Sequence, residues 1–568
     1  MGGLYEHPRL TRRVKLSIIG GMCKKLVMFG ALAVIFAAMG GAPSTSVIAP
    51  LSGERWWGGV PNDGDRETFP YVSTSRPVNL ARYNHGGTTS PFLVSTAGRY
   101  VWSDRPFVYA FTNGTLYVTS SVEKVEPVVA GTTLKEAYLA ACRRHFPFSG
   151  TIPAELLFTK PQWNNWIEIA IQGWNQKVVD AYTDAIAAND FPCGVYMMDG
   201  GWFSHQGSYR PDPDLFPDMK AMFKRVHDHG WKAMIWTAHF MSPDSIDHKL
   251  LRHGKGYMRD GADLLAYRRY TEGREKKTKA VGVIWWWSGV SATWDLTYQP
   301  AWEHYATTLE AFAKEYGVDG FKFDAGDPER LFEVRFHDDR KEPVDFSHDY
   351  VRVGKERFPY CEYRSGFCTG GWPVMQRLHD QGHTWEALKR INACMLAEGL
   401  IGSPYCVADM VGGGLAGSYR PSPTRFFSEK LFVRLCAQQA LHPMMQFSAA
   451  PWRYLSPEGV AACRTLANLH VKFGPYILEQ ARHASKTGEP IMRPMEYEFP
   501  HAGFIGENIQ YMLGPKYLVA PVVEEDDFVT VRLPAGRWRD DRGAEHVGPA
   551  TFKIEHVPLA RLPYFERL

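Results

Sequence analysis

The alternation of apolar and polar residues divides the chain into three stretches of different period. From about Thr68 to Val129 short alternating runs are broken by Gly, Asn and Pro: Pro91-Phe-Leu-Val-Ser, Arg99-Tyr-Val-Trp, Phe107-Val-Tyr-Ala-Phe and Thr115-Leu-Tyr-Val. A period of two suits half-buried strands, and Asn113-Gly114 between two such runs favours a tight hairpin. Residues 46–150 are therefore expected to form an N-terminal β-sandwich, followed by a helix over Thr133 to His145 and a linker over Pro147 to Pro153. After Pro153, short apolar runs alternate with helical periods, the signature of a parallel sheet with crossovers. The predicted strands are Ala154 to Phe158, Gly194 to Met198, Lys232 to Thr237, Gly320 to Phe323, Tyr360 to Tyr363, Tyr405 to Ala408, Met444 to Phe447 and Ile491 to Met495. Helices are predicted over Gln176 to Ala188, Asp218 to His229, Ala301 to Tyr316, Trp385 to Leu400 and Thr424 to Leu441. Eight strands fit a closed (β/α)8 TIM barrel over 151–500, an α/β fold, with an insertion at about 242–294 expected to line its mouth. Beyond Pro500 the pattern is β only, and residues 501–568 read as a C-terminal β-sandwich.

The first 45 residues read as a signal-peptide region. Leu26 to Met39 is apolar, follows Lys24-Lys25 and precedes Gly40-Gly41-Ala42, and it is too short for a membrane span. Translation from Met22 would give a signal of ordinary length. The mature protein is thus expected to be exported, periplasmic or secreted, with no membrane span. The 9 cysteines of the full chain, eight once Cys23 leaves with the signal, show neither disulfide-framework nor zinc spacing, so no metal or other cofactor is expected. The net charge of +3 comes from scattered Lys and Arg, which excludes a nucleic-acid footprint. Aromatics reach 14%, with 18 Trp, which suits stacking on sugar rings and equally a Trp-rich core.

The chemistry centres on Gly317-Val-Asp-Gly-Phe-Lys-Phe-Asp-Ala-Gly-Asp327. Strand geometry sends Lys322 and Asp324 to one face, and an ammonium beside Asp324 keeps it ionised, as a carboxylate nucleophile requires. Other polar side chains recur at predicted strand ends, where a barrel carries its chemistry: Asp199 and Trp202, Trp236 and His239, Arg364, and Asp409. Asp380 follows in the loop Leu378-His-Asp-Gln-Gly-His-Thr-Trp385. Each has a plain structural reading on its own, as a helix cap, a solvated loop residue or an ion-pair partner. The Gly412-Gly-Gly-Leu-Ala-Gly417 run reads as a strand-end turn, and no His-Glu-x-x-His or Gly-x-Ser-x-Gly motif supports a metallohydrolase or serine hydrolase.

Taken together, Met198-Asp-Gly-Gly-Trp202, Gly320-Phe-Lys-Phe-Asp-Ala-Gly-Asp327, Ala408-Asp-Met-Val-Gly-Gly413, Tyr511-Met-Leu-Gly-Pro-Lys-Tyr-Leu-Val-Ala-Pro-Val522 and Leu533-Pro-Ala-Gly-Arg-Trp538 resemble glycoside hydrolase family 31. The Lys-Phe-Asp-Ala-Gly segment is most similar to the branch holding myogenesis-regulating glycosidases and bacterial α-galactosidases. The resemblance implies a retaining exo-α-glycosidase acting on a terminal α-galactoside, with α-glucosidase or α-xylosidase activity and a non-catalytic sugar-binding protein as alternatives. It implies Asp324 as nucleophile and Asp380, near Trp372, as acid/base. Asp199, Trp236, Lys322, Arg364 and Asp409 would hold the sugar. The partner implied is an oligosaccharide or glycoside. Gln446 and Ser448 stand where many members carry Arg and His, a departure from ordinary glucosidase specificity.

Overall fold

The computed structural model describes residues 43–253, 264–269, 280–286, 289–422 and 427–568. Most of the predicted signal region, including Met22, and parts of the predicted insertion lie outside the described residues. The N-terminal part holds two four-stranded antiparallel sheets. One contains Ser44–Ile48, Thr115–Ser120, Val108–Thr112 and Val78–Asn79, and the other Trp56–Gly58, Phe92–Ser95, Arg99–Trp102 and Val128–Val129. The predicted hairpin turns at Asn113 and Gly114, both at positive φ. The helix Leu134–His145 starts in a capping box, in which Thr133 accepts from the Glu136 N–H and Glu136 reaches back to the Thr133 N–H.

Eight parallel strands close the barrel: β1 (Gln162–Asn164), β2 (Val195–Met198), β3 (Lys232–Ala238), β4 (Gly320–Asp324), β5 (Tyr360–Tyr363), β6 (Met375–Arg377), β7 (Cys406–Val411) and β8 (Met444–Phe447). Closure joins β1 to β8 through Gln162 opposite Gln446 and Trp163 opposite Phe447, whose rings stack at 4.5 Å. Two predicted strands are not barrel strands. Leu156–Thr159, overlapping the predicted Ala154 to Phe158 strand, is a short helix that buries Leu157 and Phe158. Met492–Arg493, inside the predicted Ile491 to Met495 strand, pairs with Tyr511–Leu513 in the C-terminal sheet. The strands that replace them, Gln162–Asn164 and Met375–Arg377, are three residues long and largely polar, so they carry no apolar run. Their polar side chains are buried and hydrogen-bonded: Gln162 donates to the Leu157 carbonyl and Gln376 to that of Tyr363.

The helix Pro457–Thr487, capped by Ser456 and ended by Gly488 at φ 81°, carries the chain from the end of the barrel toward the C-terminal part. There, six strands form one sheet whose side chains, among them Met512, Leu518, Val531, Trp538 and Phe565, enclose a separate small core. No helix among the described residues is long and apolar enough to cross a membrane. The eight described cysteines form no disulfide with one another, and seven of them are buried.

Gly320 begins β4 against β5, and a Cβ there would lie 1.8 Å from the Tyr360 carbonyl oxygen. Gly320→Ala must therefore push the two strands apart. The expected cost is about 1–3 kcal/mol, to be read as a lower midpoint in thermal unfolding.

Candidate active site

Alternation along β4 sends Phe321 and Phe323 outward, where Phe321 meets Phe358 and Phe323 stacks on Tyr363 at 4.5 Å. Lys322 and Asp324 consequently face the barrel interior, as the sequence pattern predicts. The Lys322 Nζ donates to Asp199 Oδ2 at 2.7 Å, and Asn164 Nδ2 donates to the same oxygen at 3.0 Å. Both charges are almost fully buried. Burial pulls the Lys322 ammonium down, but Asp199 outweighs it and holds the amine above its usual value, so it stays cationic.

Asp324 is held at both oxygens. Its Oδ1 accepts from Arg364 Nε at 2.9 Å and from the Ala325 N–H at 2.8 Å, and its Oδ2 accepts from Trp236 Nε1 at 3.2 Å. Burial alone would raise this carboxyl; the cations of Arg364, Arg377 and Lys322 overcome it and hold Asp324 well below the usual carboxylate range. Arg364 continues to Asp327, donating from Nη2 to Oδ2 at 2.7 Å and from Nη1 to Oδ1 at 3.2 Å. Its Nη1 also donates to the Gly86 carbonyl at 2.9 Å, and Asn84 Nδ2 donates to Asp327 at 3.0 Å. A loop that precedes the barrel by many residues therefore completes its charge network.

A second network lies across the mouth. Arg377, at the end of β6, donates from Nη1 to Asp380 Oδ1 at 2.9 Å and to Asp409 Oδ1 at 2.8 Å, and its Nε lies 3.1 Å from Glu362 Oε1. Asp409 is fully buried within β7, and its Oδ2 accepts the Gln381 N–H at 2.7 Å. Burial pushes its carboxyl up to about 6 against the pull of Arg377. Asp380 is about half exposed at its side chain.

Two adjoining cavities share Asp324 and Asp380 as walls. The inner one, about 330 Å³, is lined also by Trp166, Asp199, Trp236, Lys322, Arg377 and Met410. The outer one, about 540 Å³, has Arg364, Asp327 and His379 on the barrel side and Arg66, Tyr83, His85 and Gly86 from the N-terminal part. Trp286, from the stretch expected at the mouth, lines the outer cavity and stacks parallel to Trp236 at 6.2 Å.

Of the seven predicted site residues, Asp324, Asp380, Asp199, Trp236 and Lys322 line the inner cavity, and Arg364 lines the outer one. Asp409 lines neither, because both its oxygens are turned to Arg377 and Gln381. Trp372, expected near Asp380, packs instead against His348 at 4.6 Å beside a different cavity. His239 is buried behind the mouth, where it meets Thr293 and accepts the Gly326 N–H. Gln446 donates to Glu362, and Ser448 accepts the Ile167 N–H, so both serve the barrel wall. Sequence reasoning missed Arg377, because the short β6 went unrecognised, and it missed the loop of Tyr83, His85 and Gly86, which carries no motif. Asp327 stood at the end of the central motif, and its spacing from Asp324 was the signal for it. Among the described residues no group of three or more His, Cys, Asp or Glu could hold a metal ion.

Comparison with known proteins agrees with this geometry. The model of the glycosyl hydrolases family 31 TIM-barrel domain matches residues 161–480, and that of the family's C-terminal domain matches 488–567. The myogenesis-regulating glycosidase of Mus musculus is 28% identical over 443 residues, 75% of this chain and 58% of the relative. The 1,3-α-isomaltosidase of Kribbella flavida is 26% identical over 422 residues, 69% of this chain and 55% of the relative. The chain thus spans less than two thirds of either relative. A solved structure of a family 31 α-xylosidase from a soil metagenome, complexed with xylose, superposes with a TM-score of 0.77 at 19% identity, covering 93% of this chain and 80% of the other. The barrel and C-terminal matches, which together span most of the chain, identify it as a member of glycoside hydrolase family 31.

Proposed function

We propose that the protein is a retaining exo-α-glycosidase that removes a terminal α-linked sugar, α-galactose first among the choices, with Asp324 as nucleophile and Asp380 as acid/base. The observation that carries this reading is the Asp324 carboxylate, held by Arg364 and Trp236, in a cavity wall it shares with Asp380. Oδ1 of Asp324 already accepts two short hydrogen bonds, whereas Oδ2 accepts one at 3.2 Å, so Oδ2 is the freer oxygen for attack on the anomeric carbon. As that bond forms, the glycosidic C–O bond breaks and the departing oxygen takes the proton of Asp380, leaving a covalent glycosyl-enzyme. Oδ1 of Asp380 is held by Arg377, which leaves Oδ2 to carry the proton. The ionised Asp380 next takes a proton from water, whose oxygen attacks the anomeric carbon, releases Asp324 and restores the α configuration.

The buried Lys322–Asp199 pair supports a polar floor for the sugar, with an ammionium-type donor and a carboxylate acceptor for its hydroxyls, and Trp236 supplies an aromatic wall. The family resemblance of the Lys-Phe-Asp-Ala-Gly segment favours galactose. A second reading, α-glucosidase or α-xylosidase, draws on the names of relatives such as the 1,3-α-isomaltosidase and the α-xylosidase of Emericella nidulans, each 26% identical. Aryl α-glycosides of the three sugars separate the readings. The galactoside should be hydrolysed fastest, and turnover of the glucoside or xyloside alone would overturn that choice.

Asp324→Asn should lower kcat/KM by on the order of a thousandfold or more while leaving the unfolding midpoint near wild type. A fluorinated glycoside that traps the intermediate should label the peptide containing Asp324, as peptide mapping would reveal. Arg364→Met removes the cation that does most to keep Asp324 ionised. The Asp324 pKa should therefore rise, and the acid limb of the kcat/KM profile should move to higher pH relative to wild type.

A further inference from the structure

We infer that Asp409 and Arg377 are positioning residues for the acid/base, a clamp that fixes where Asp380 presents its proton, and that Asp409 does not hold the sugar. The inference rests on the reading of Asp380 as acid/base and deepens it. Asp380 stands on a loop and is about half exposed, so nothing in its own packing fixes the carboxyl. Four contacts supply that order. Asp409 takes the N–H of Gln381, the residue next to Asp380, on Oδ2, and it takes Arg377 Nη1 on Oδ1. The same Nη1 grips Asp380 Oδ1. The Gln381 carbonyl accepts the Gly414 N–H, tying the following peptide to the turn after β7.

One buried carboxylate thereby restrains both the backbone and, through a guanidinium, the side chain of the proton donor. Arg377 is itself immobilised, since its Nε faces Glu362, which accepts from Gln446. Asp409 sits at φ 83°, a conformation costly for a non-glycine residue, and it is fully buried away from both cavities. A sugar ligand would have to displace one of its existing partners. Proton delivery depends on placement to a fraction of an ångström, so loosening this clamp should cost reactions in proportion to their need for the proton.

Leaving-group dependence tests the inference. For whichever sugar the wild-type enzyme cleaves, kcat/KM is compared between a 2,4-dinitrophenyl α-glycoside, whose leaving group departs without a proton, and the corresponding alkyl α-glycoside. Arg377→Lys and Asp409→Asn should each lose at least about tenfold more on the alkyl than on the activated substrate, within the range of general acid catalysis. Asp380→Ala serves as the reference for that pattern. Equal losses on both substrates would overturn the inference, as would failure of the isosteric Asp409→Asn to fold, which would make Asp409 a stability residue. A wild-type enzyme inactive on every glycoside would instead overturn the proposed function, so the two failures are distinguishable.

Discussion

The guanidinium of Arg364 is the interaction on which the mouth of this barrel depends. It stands between two carboxylates, Asp324 and Asp327, and it is oriented from outside the barrel by the carbonyl of Gly86. Two acids this close repel one another, and in a buried site one would take up a proton unless a cation were shared between them. Arginine suits that task better than lysine, because its planar fork meets both partners at once and it cannot lose its charge. The ionised state of Asp324 is thus a property of the whole network.

The opposite side of the mouth solves a different problem with the same residue type. Arg377 also joins acids, but its partners are unequal: Asp409 is sealed in the wall and Asp380 faces the cavity. The interior of the barrel is consequently a layer of matched charge, in which Lys322, Asp199, Glu362, Arg377 and Asp409 each find a partner. Burying so many ions is costly, and removing one partner leaves the other stranded. The architecture therefore favours rigidity at the site over stability of the core.

The same chemistry explains what could be read from the sequence. Strands whose inward residues are apolar, such as Val195–Met198, announce themselves as short hydrophobic runs. Gly320–Asp324 was legible because Phe321 and Phe323 frame its two charges with outward apolar residues. Gln162–Asn164 and Met375–Arg377 lack that frame, since their inward positions serve the polar interior, and apolar runs nearby drew the prediction away. Asp324, Asp199 and Lys322 were found because they stand at the ends of legible strands. Asp409 was also found, but its backbone turn and burial are tertiary facts that no motif encodes. Arg377 was lost together with its strand.

The loop carrying Asn84 and Gly86 lies far from Arg364 and Asp327 in the chain, yet it supplies a hydrogen bond to each. The two architectures are thus covalently consecutive and electrostatically interdependent. A barrel excised at its first strand would keep every side chain of the inner cavity and still leave the Arg364 fork short of one acceptor and Asp327 short of one donor. In this chain the site therefore begins upstream of the barrel, in the β-rich segment that carries Asn84 and Gly86.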